Sequence, residues 1–579
     1  MTSTYAQWLS QVPRRDPTPE MVAEAANRPD HFPSFSVVVP TWNTREDLLR
    51  ACLDSVLAQS YPFWQMIVAD DASDQPHVAQ VLYEYLERDD RVEVVFCPEH
   101  GHISAATNAA LERADCMYVA FLDHDDMLDP HALYHMARAI QARPDADILY
   151  SDEDHIDERG APLAAHHKSA FNQDLLYAQN YICHLAVYER SLVKAVGGLR
   201  LGVEGSQDHD LLLRCLPLVL AECILHIPRV LYHWRRVAGS VALSADAKPY
   251  TTEAGVKALK DHFADREGVV VGTGAVPNTY RITWSLPEPR PLVSVVIPTK
   301  DRPDLIRRCL DTLLRTTDYN FEVLLIDNGT TDRVALNYMA AVAEQNARVL
   351  VLREPGPFNF SALCNAGAKE AKGSLLLLLN NDIEVRTPHW MTEMARQAWR
   401  PEVGCVGAKL LYPDGRVQHG GVLMGVGGIA NHAHHAFYRS QAGYAAKLVN
   451  HQNFLAVTGA CLMLRTELFE SLGGLDEVNL PVAYNDVDLC LRAWQAGHWN
   501  VWTPYAELIH RASASRGPES PERAAQFERE SAYMRDKWGA QIADDPFYHP
   551  YLERVRGSFE LADPATLIEP PKIYRSSTP

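Results

Sequence analysis

The segment FSVVVPTWN at residues 35–43 returns as VSVVIPTKD at residues 293–301. A single recurrence of a β-branched strand core says little, because such runs occur in any α/β protein. This one continues in order. Each copy is followed by a helix-period segment, REDLLRACLDSVLAQ in the first and PDLIRRCLDTLLRT in the second, and then by an apolar strand that ends on an acid, Asp70 or Asp327. The next interval is identical: Asp70 to Asp123 and Asp327 to Asn380 both span 53 residues. In the second copy five leucines stop abruptly on Asn380, Asn381 and Asp382. A Gly-Gly pair (Gly197-Gly198, Gly473-Gly474) then precedes a D-x-D-L-x-L-R segment carrying Asp208 and Asp210, or Asp486 and Asp488. His233 and His510 follow 25 and 24 residues after Asp208 and Asp486.

Ordered agreement at six places predicts two homologous α/β domains. A chain of 579 residues is long enough for them, being several times the usual ~100–150-residue domain. The expected boundaries are an N-terminal arm (1–33), a first domain (34–275), a Pro-rich semi-rigid linker (276–291), a second domain (292–518) and a helical tail (519–579) packed on the second domain. In that tail Phe527, Met534 and Trp538 fall near one helical face, and its mixed charges favour packing over a membrane-surface role. The formal charge of −20 argues against nucleic acid as a partner. Eleven cysteines without a C-x-x-C pair read as reduced thiols and predict a cytoplasmic protein. The N-terminus has no apolar signal core, and no run approaches the ~20 apolar residues that span a bilayer.

In an open parallel sheet the ligand crevice lies beyond the carboxyl ends of the strands. Acids sit at three such ends in each half. A lone Asp there serves as readily as a helix cap or turn residue, but a set repeated in register is harder to explain that way. In LDHDD, Asp123, Asp125 and Asp126 are hard oxygen ligands suited to Mg²⁺ or Mn²⁺, which complete their shells with water and substrate phosphate.

The series VVVPTWN, VADDASD, FLDHDD, GG, QDHDL and HWR resembles the family 2 inverting glycosyltransferases, and the second half carries the same series. With NNDIE, GAKLLYPDGRVQHGG and YNDVDLCLRAWQAG, that half looks most like the rhamnosyltransferase and O-antigen branch. The resemblance implies an α/β fold with two GT-A domains in tandem. It implies that Pro40, Thr41, Asn43, Asp70, Asp71 and Asp123 of the first half, and Thr299, Asp301, Asp327, Asn380 and Asn381 of the second, bind the nucleotide sugar. It makes Asp125 and His233, and Asp382 and His510, the ligands of one divalent cation (Mn or Mg) per domain. Asp208 and Asp486 match the position of the base that deprotonates the acceptor, with Gln207 standing where the family usually has Glu. The implied partners are nucleotide-sugar donors and a glycan or lipid-linked glycan acceptor, the latter bringing the protein to the inner face of a membrane as a peripheral visitor. Two readings of the second half stand: a second active site, or a binding module that keeps the fold without catalysis.

Other features are weaker. GVGGIA (425–430) fits a dinucleotide pattern, but no apolar helix follows it. His432, His434 and His435 lack the partner ligands of a zinc site and read as a solvated or acceptor-side loop. LYSDEDHIDERG (149–160) reads as a β-hairpin turning at Glu158–Gly160, with Glu153 or Asp154 within reach of substrate. Arg235, Arg236 and Arg511 are either diphosphate contacts or solvated strand ends. A nucleotidyltransferase is disfavoured, because PTWNTRED and PTKDRPD lack a glycine-rich phosphate loop.

Overall fold

A computed structural model describes residues 4–12, 16–26, 33–237, 249–316, 318–511 and 520–567. The strand Phe35–Thr41 is buried along its whole length and pairs in parallel with Trp64–Asp70 on one side and Tyr118–Phe121 on the other. From edge to edge the first sheet runs Val92–Phe96, Trp64–Asp70, Phe35–Thr41, Tyr118–Phe121, Ala186–Glu189, Ile148–Ile156, Ile224–Arg235, Met127–Leu128. The second runs Val349–Arg353, Phe321–Asp327, Val293–Thr299, Leu375–Leu379, Cys461–Arg465, Val403–Leu411, Trp499–His510, Ile383–Val385. The two orders match strand for strand, so the duplication read from motif spacing is a duplication of topology.

The leucine run is the central strand of the second sheet. All five side chains are fully buried, because helices cover both faces and the strand lies between a parallel and an antiparallel neighbour. Helices pack by the usual apolar stripe: in Pro303–Thr316, Ile306, Cys309, Leu310 and Leu313 recur at helical spacing and are buried.

The Gly-Gly and D-x-D-L-x-L-R motifs are parts of one device. Gly198 and Gly474 have left-handed φ of +70° and +72°, and a Cβ on either would lie 2.5 or 2.6 Å from the side-chain oxygen of Asn108 or Asn365. Those asparagines need that space, since Asn108 bonds both the N–H and the carbonyl of Leu199, and Asn365 does the same at Leu475. Arg214 donates to the carbonyls of Val196 and Gly198 and to Asp210; Arg492 repeats this with Leu472, Gly474 and Asp488. The second Asp and the Arg of the motif therefore hold the turn, and the first Asp is left over.

Two of the expected segments differ in the structure. The segment read as a linker begins with a strand, Tyr280–Thr283, that pairs with Val270–Thr273; Tyr280, Ile282 and Trp284 alternate inward onto Tyr177 and Phe263. The tail reaches beyond the second domain. Its helix Pro521–Ala543 does pack there, through Met534 and Trp538, but the chain after it crosses to the first half, where Ala170 N–H donates to Pro546 O and His549 is buried beside Asp152. The arm is docked on the tail, with Trp8 Nε1 donating to Ala562 O. The hairpin at residues 157–160 is as expected. Among the described residues no helix is long and apolar enough to cross a membrane.

Candidate functional site

At the carboxyl ends of the first sheet lies a cavity of about 1090 Å³, large for a small-ligand pocket. Pro40, Thr41, Asp71, Asp123, Asp125 and Asp208 all line it. Asn43 and Asp70 do not. Asn43 Oδ1 accepts the N–H groups of Asp74 and Gln75, and Asp70 Oδ1 receives that of Ser73, so both hold the neighbouring loop. Asp301 and Asp327 do the same work in the second half, on Thr331, Asp332 and Thr330. Asp71 is poised at the cavity by Gly101 N–H (2.7 Å) and His100 Nδ1 (2.8 Å). Trp42 stacks on His100 with centroids 4.4 Å apart and is half exposed, an aromatic face that motif reading passed over. The one signal was a large aromatic in an otherwise polar strand end.

The acids of LDHDD divide by partner. Asp126 is buried, accepts from Tyr232 Oη (2.6 Å) and Arg235 N–H (2.7 Å), and burial pushes its carboxyl well above the usual range. Asp123 and Asp125 face the cavity, and burial also raises Asp125. Beside them stands His184, stacked on Tyr232, with Nε2 3.8 Å from Asp123 Oδ2. One ligand atom each from Asp123, Asp126 and His184 fits within 4.8 Å, a donor set suited to a divalent cation.

His233 is placed elsewhere. Met127 pairs with His233, whereas Ile383 pairs with His510, so the register that carries His510 in the second half belongs to Trp234 in the first. A shift of one residue turns a strand side chain to the other face. Trp234 lines the cavity; His233 Nδ1 meets Asp154 Oδ1 at 2.6 Å outside that lining. Arg235 is not a solvated strand end: it is buried, with Nε donating to Asp125 O.

Asp208 lies in the first turn of the helix Gln207–Cys215 and lines the same cavity, near enough to Asp123 and His184 to feel their charge. Asn180 Nδ2 donates to its Oδ2 at 2.7 Å. Burial raises its carboxyl above the ordinary value, with nearby His184 pulling the other way. Gln207 is turned back to accept from Gly205 N–H. Glu153, held low at about 2 against burial by Lys168 and His166, also lines the cavity; Asp154 does not.

In the second half Asp382 and His510 come together, Oδ1 to Nε2 at 3.1 Å. His510 Nδ1 is 2.6 Å from Gln418 Oε1, which places a proton on Nδ1; in the neutral ring Nε2 then carries the lone pair. That lone pair faces a buried carboxylate oxygen that accepts no hydrogen bond. Two electron-rich atoms so placed suit a cation between them, and the partner on Nδ1 fixes the ring as it does for metal-binding histidines. Asn380 Nδ2 lies 3.4 Å from the same nitrogen, and Asn381 Nδ2 donates to Thr299 Oγ1. Asp486 is part-buried and raised by desolvation, but Gly459 N–H (2.6 Å) and Val487 N–H (2.8 Å) each bond one of its oxygens. His434 is no solvated turn residue: it is buried and stacks on Phe559 at 4.3 Å.

The family model described as glycosyl transferase family 2 matches residues 36–197 and again 294–473. Among curated proteins, y4gI of Sinorhizobium fredii is 47% identical over 94% of this chain and 60% of its own length. The O-antigen biosynthesis protein RfbC of Myxococcus xanthus is 40% identical over 95% of this chain and 42% of its own. The chain thus spans about half the length of these relatives. A mannosyltransferase from Pyrobaculum calidifontis, solved with GDP-Man and Mn²⁺, superposes with a TM-score of 0.32 at 18% identity, over 45% of this chain and 68% of that one. Two matched regions, one on each of two sheets with the same strand order, make the conclusion direct: the chain belongs to glycosyl transferase family 2 and carries its GT-A domain twice.

Proposed function

We propose that the protein transfers sugars from nucleotide-diphosphate donors to hydroxyls of a growing surface glycan, with inversion and with one active site in each half. The observation that carries this reading is the first cavity, which a part-buried carboxylate with a raised pKa, Asp208, lines together with Asp123, Asp125 and Asp71. Trp42 and His100 offer a stacking face to a base, and Asp71 offers its carboxylate to base or ribose donors. Asn180 orients Asp208, which takes the acceptor hydroxyl's proton as the oxygen attacks the anomeric carbon from the face opposite the leaving diphosphate. A divalent cation held by Asp123, Asp126 and His184 beside the neighbouring Asp125, or by Asp382 and His510, would neutralise the charge that develops on the diphosphate. The likeness to an O-antigen biosynthesis protein supports a polysaccharide acceptor.

A second reading, in which only the first half catalyses, is favoured by the two backbone N–H groups on Asp486. Nucleotide sugars screened against Asp208→Asn and Asp486→Asn, with product masses measured, separate the two. Loss of a different product in each variant supports two sites, and an unchanged pattern in Asp486→Asn leaves one.

A further inference from the structure

The first cavity is not enclosed by the first half alone. Ala445 and Ala446 of the second half line it as well. They lie in the turn Tyr444–Val449 and adopt left-handed backbone angles, φ +46° and +59°. Two adjacent alanines in that region are strained and persist only where surrounding contacts hold them. The contacts are present. Tyr444 Oη receives His167 N–H at 2.7 Å and donates to His167 O at 3.2 Å, while its ring stacks on Phe559. Gln179 Nε2 donates to Ala445 O and its Oε1 accepts from Asn450 Nδ2, both at 2.9 Å.

Gln179 is the neighbour of Asn180, the residue bonded to Asp208. The turn therefore reaches the cavity through the sequence neighbour of the residue that bonds the base. We propose that this turn of the second half forms the acceptor wall of the first site. Ala445 and Ala446 pack against the acceptor glycan and limit which hydroxyl reaches Asp208. The inference rests on the proposed transferase reading of that cavity. It makes the two halves one working unit, in which the second half shapes the first half's acceptor specificity whether or not it catalyses.

The test uses the full chain with donor and acceptor titrated separately. Asn tolerates left-handed φ, so Ala446→Asn adds bulk to the wall without new backbone strain. Acceptor KM is expected to rise about tenfold, the scale of a misfitting group in a pocket, with donor KM within about twofold of the parent. Gln179→Ala, which releases the turn, is expected to move acceptor KM in the same direction and serves if the first variant folds poorly. An unchanged acceptor KM in the folded variant, or an equal rise in donor KM, overturns the proposal. Failure of the underlying reading looks different: Asp208→Asn would then keep full transfer whatever the turn variants do.

Discussion

At the scale of single residues the two acids that begin D-x-D motifs differ in what surrounds them. Asp208 has two side-chain donors, Asn180 Nδ2 and Cys183 Sγ, and desolvation makes it a stronger base than a solvated carboxylate. Asp208→Asn keeps the shape and removes the proton acceptor; the first transfer is expected to fall by about 10²–10⁴ with donor affinity little changed, measured by single-turnover assay and donor titration. The cation ligands give a second check. His184→Ala is expected to raise the Mn²⁺ concentration for half-maximal transfer by about tenfold or more, and His233→Ala, whose ring turns to Asp154, to leave it unchanged. An Mn²⁺ titration of the two variants reads this directly. The sequence placed Asp123, Asp125 and Asp382 just past strand ends, because strand-end acids have a fixed place in an α/β sheet, and the family resemblance pointed to Asp208 and His510. It could not supply His184, which arrives from a loop, nor choose Trp234 over His233, which depends on a register set by bulges between Ile148–Ile156 and Ile224–Arg235.

At the scale of elements, the turn after each glycine pair is held by Asn, Arg and Asp side chains from two helices. Gly474→Ala combines a left-handed φ with a Cβ 2.6 Å from Asn365 Oδ1, so either the turn opens or Asn365 gives up its bonds to Leu475. A loss of about 1–3 kcal/mol is expected by urea unfolding. Gly473, whose added Cβ would meet open space, should be less costly, though its φ of +81° still strains an alanine. The hairpin Val270–Thr273 and Tyr280–Thr283 shows how composition misleads: prolines at 277, 287 and 289 suggest a linker, yet the alternation of Tyr280, Ile282 and Trp284 is a strand signal once a small core exists to receive it.

At the scale of the molecule, the halves are joined by buried polar contacts. Asp174 meets Arg400 Nη1 at 2.5 Å and Asn453 Nδ2 at 2.7 Å, and the C-terminal segment returns to place His549 Nε2 2.8 Å from Asp152. Several buried histidines tie this assembly to pH. Burial lowers His549 and His434 to about 3 and His209 to about 4, from 6.5. Below that ordinary value the unfolded chain binds protons that the folded chain refuses, so stability is lost as pH falls from about 6.5 toward 4. Glu153 acts in the same direction at lower pH: its stabilisation is present above 4.5 and lost toward about 2. The thermal midpoint is expected to rise between pH 5 and 7 and to level off above, as measured by calorimetry across that range. The sequence by itself determined the duplication, the α/β character of each half and the acids at the strand ends, because strand periodicity and motif spacing are local properties that survive without knowledge of packing. Only the tertiary structure decided which strand face each histidine occupies, that the tail and arm clasp the first half, and that a turn of one half lines the cavity of the other. Those depend on contacts between residues hundreds of positions apart, and no local pattern encodes them.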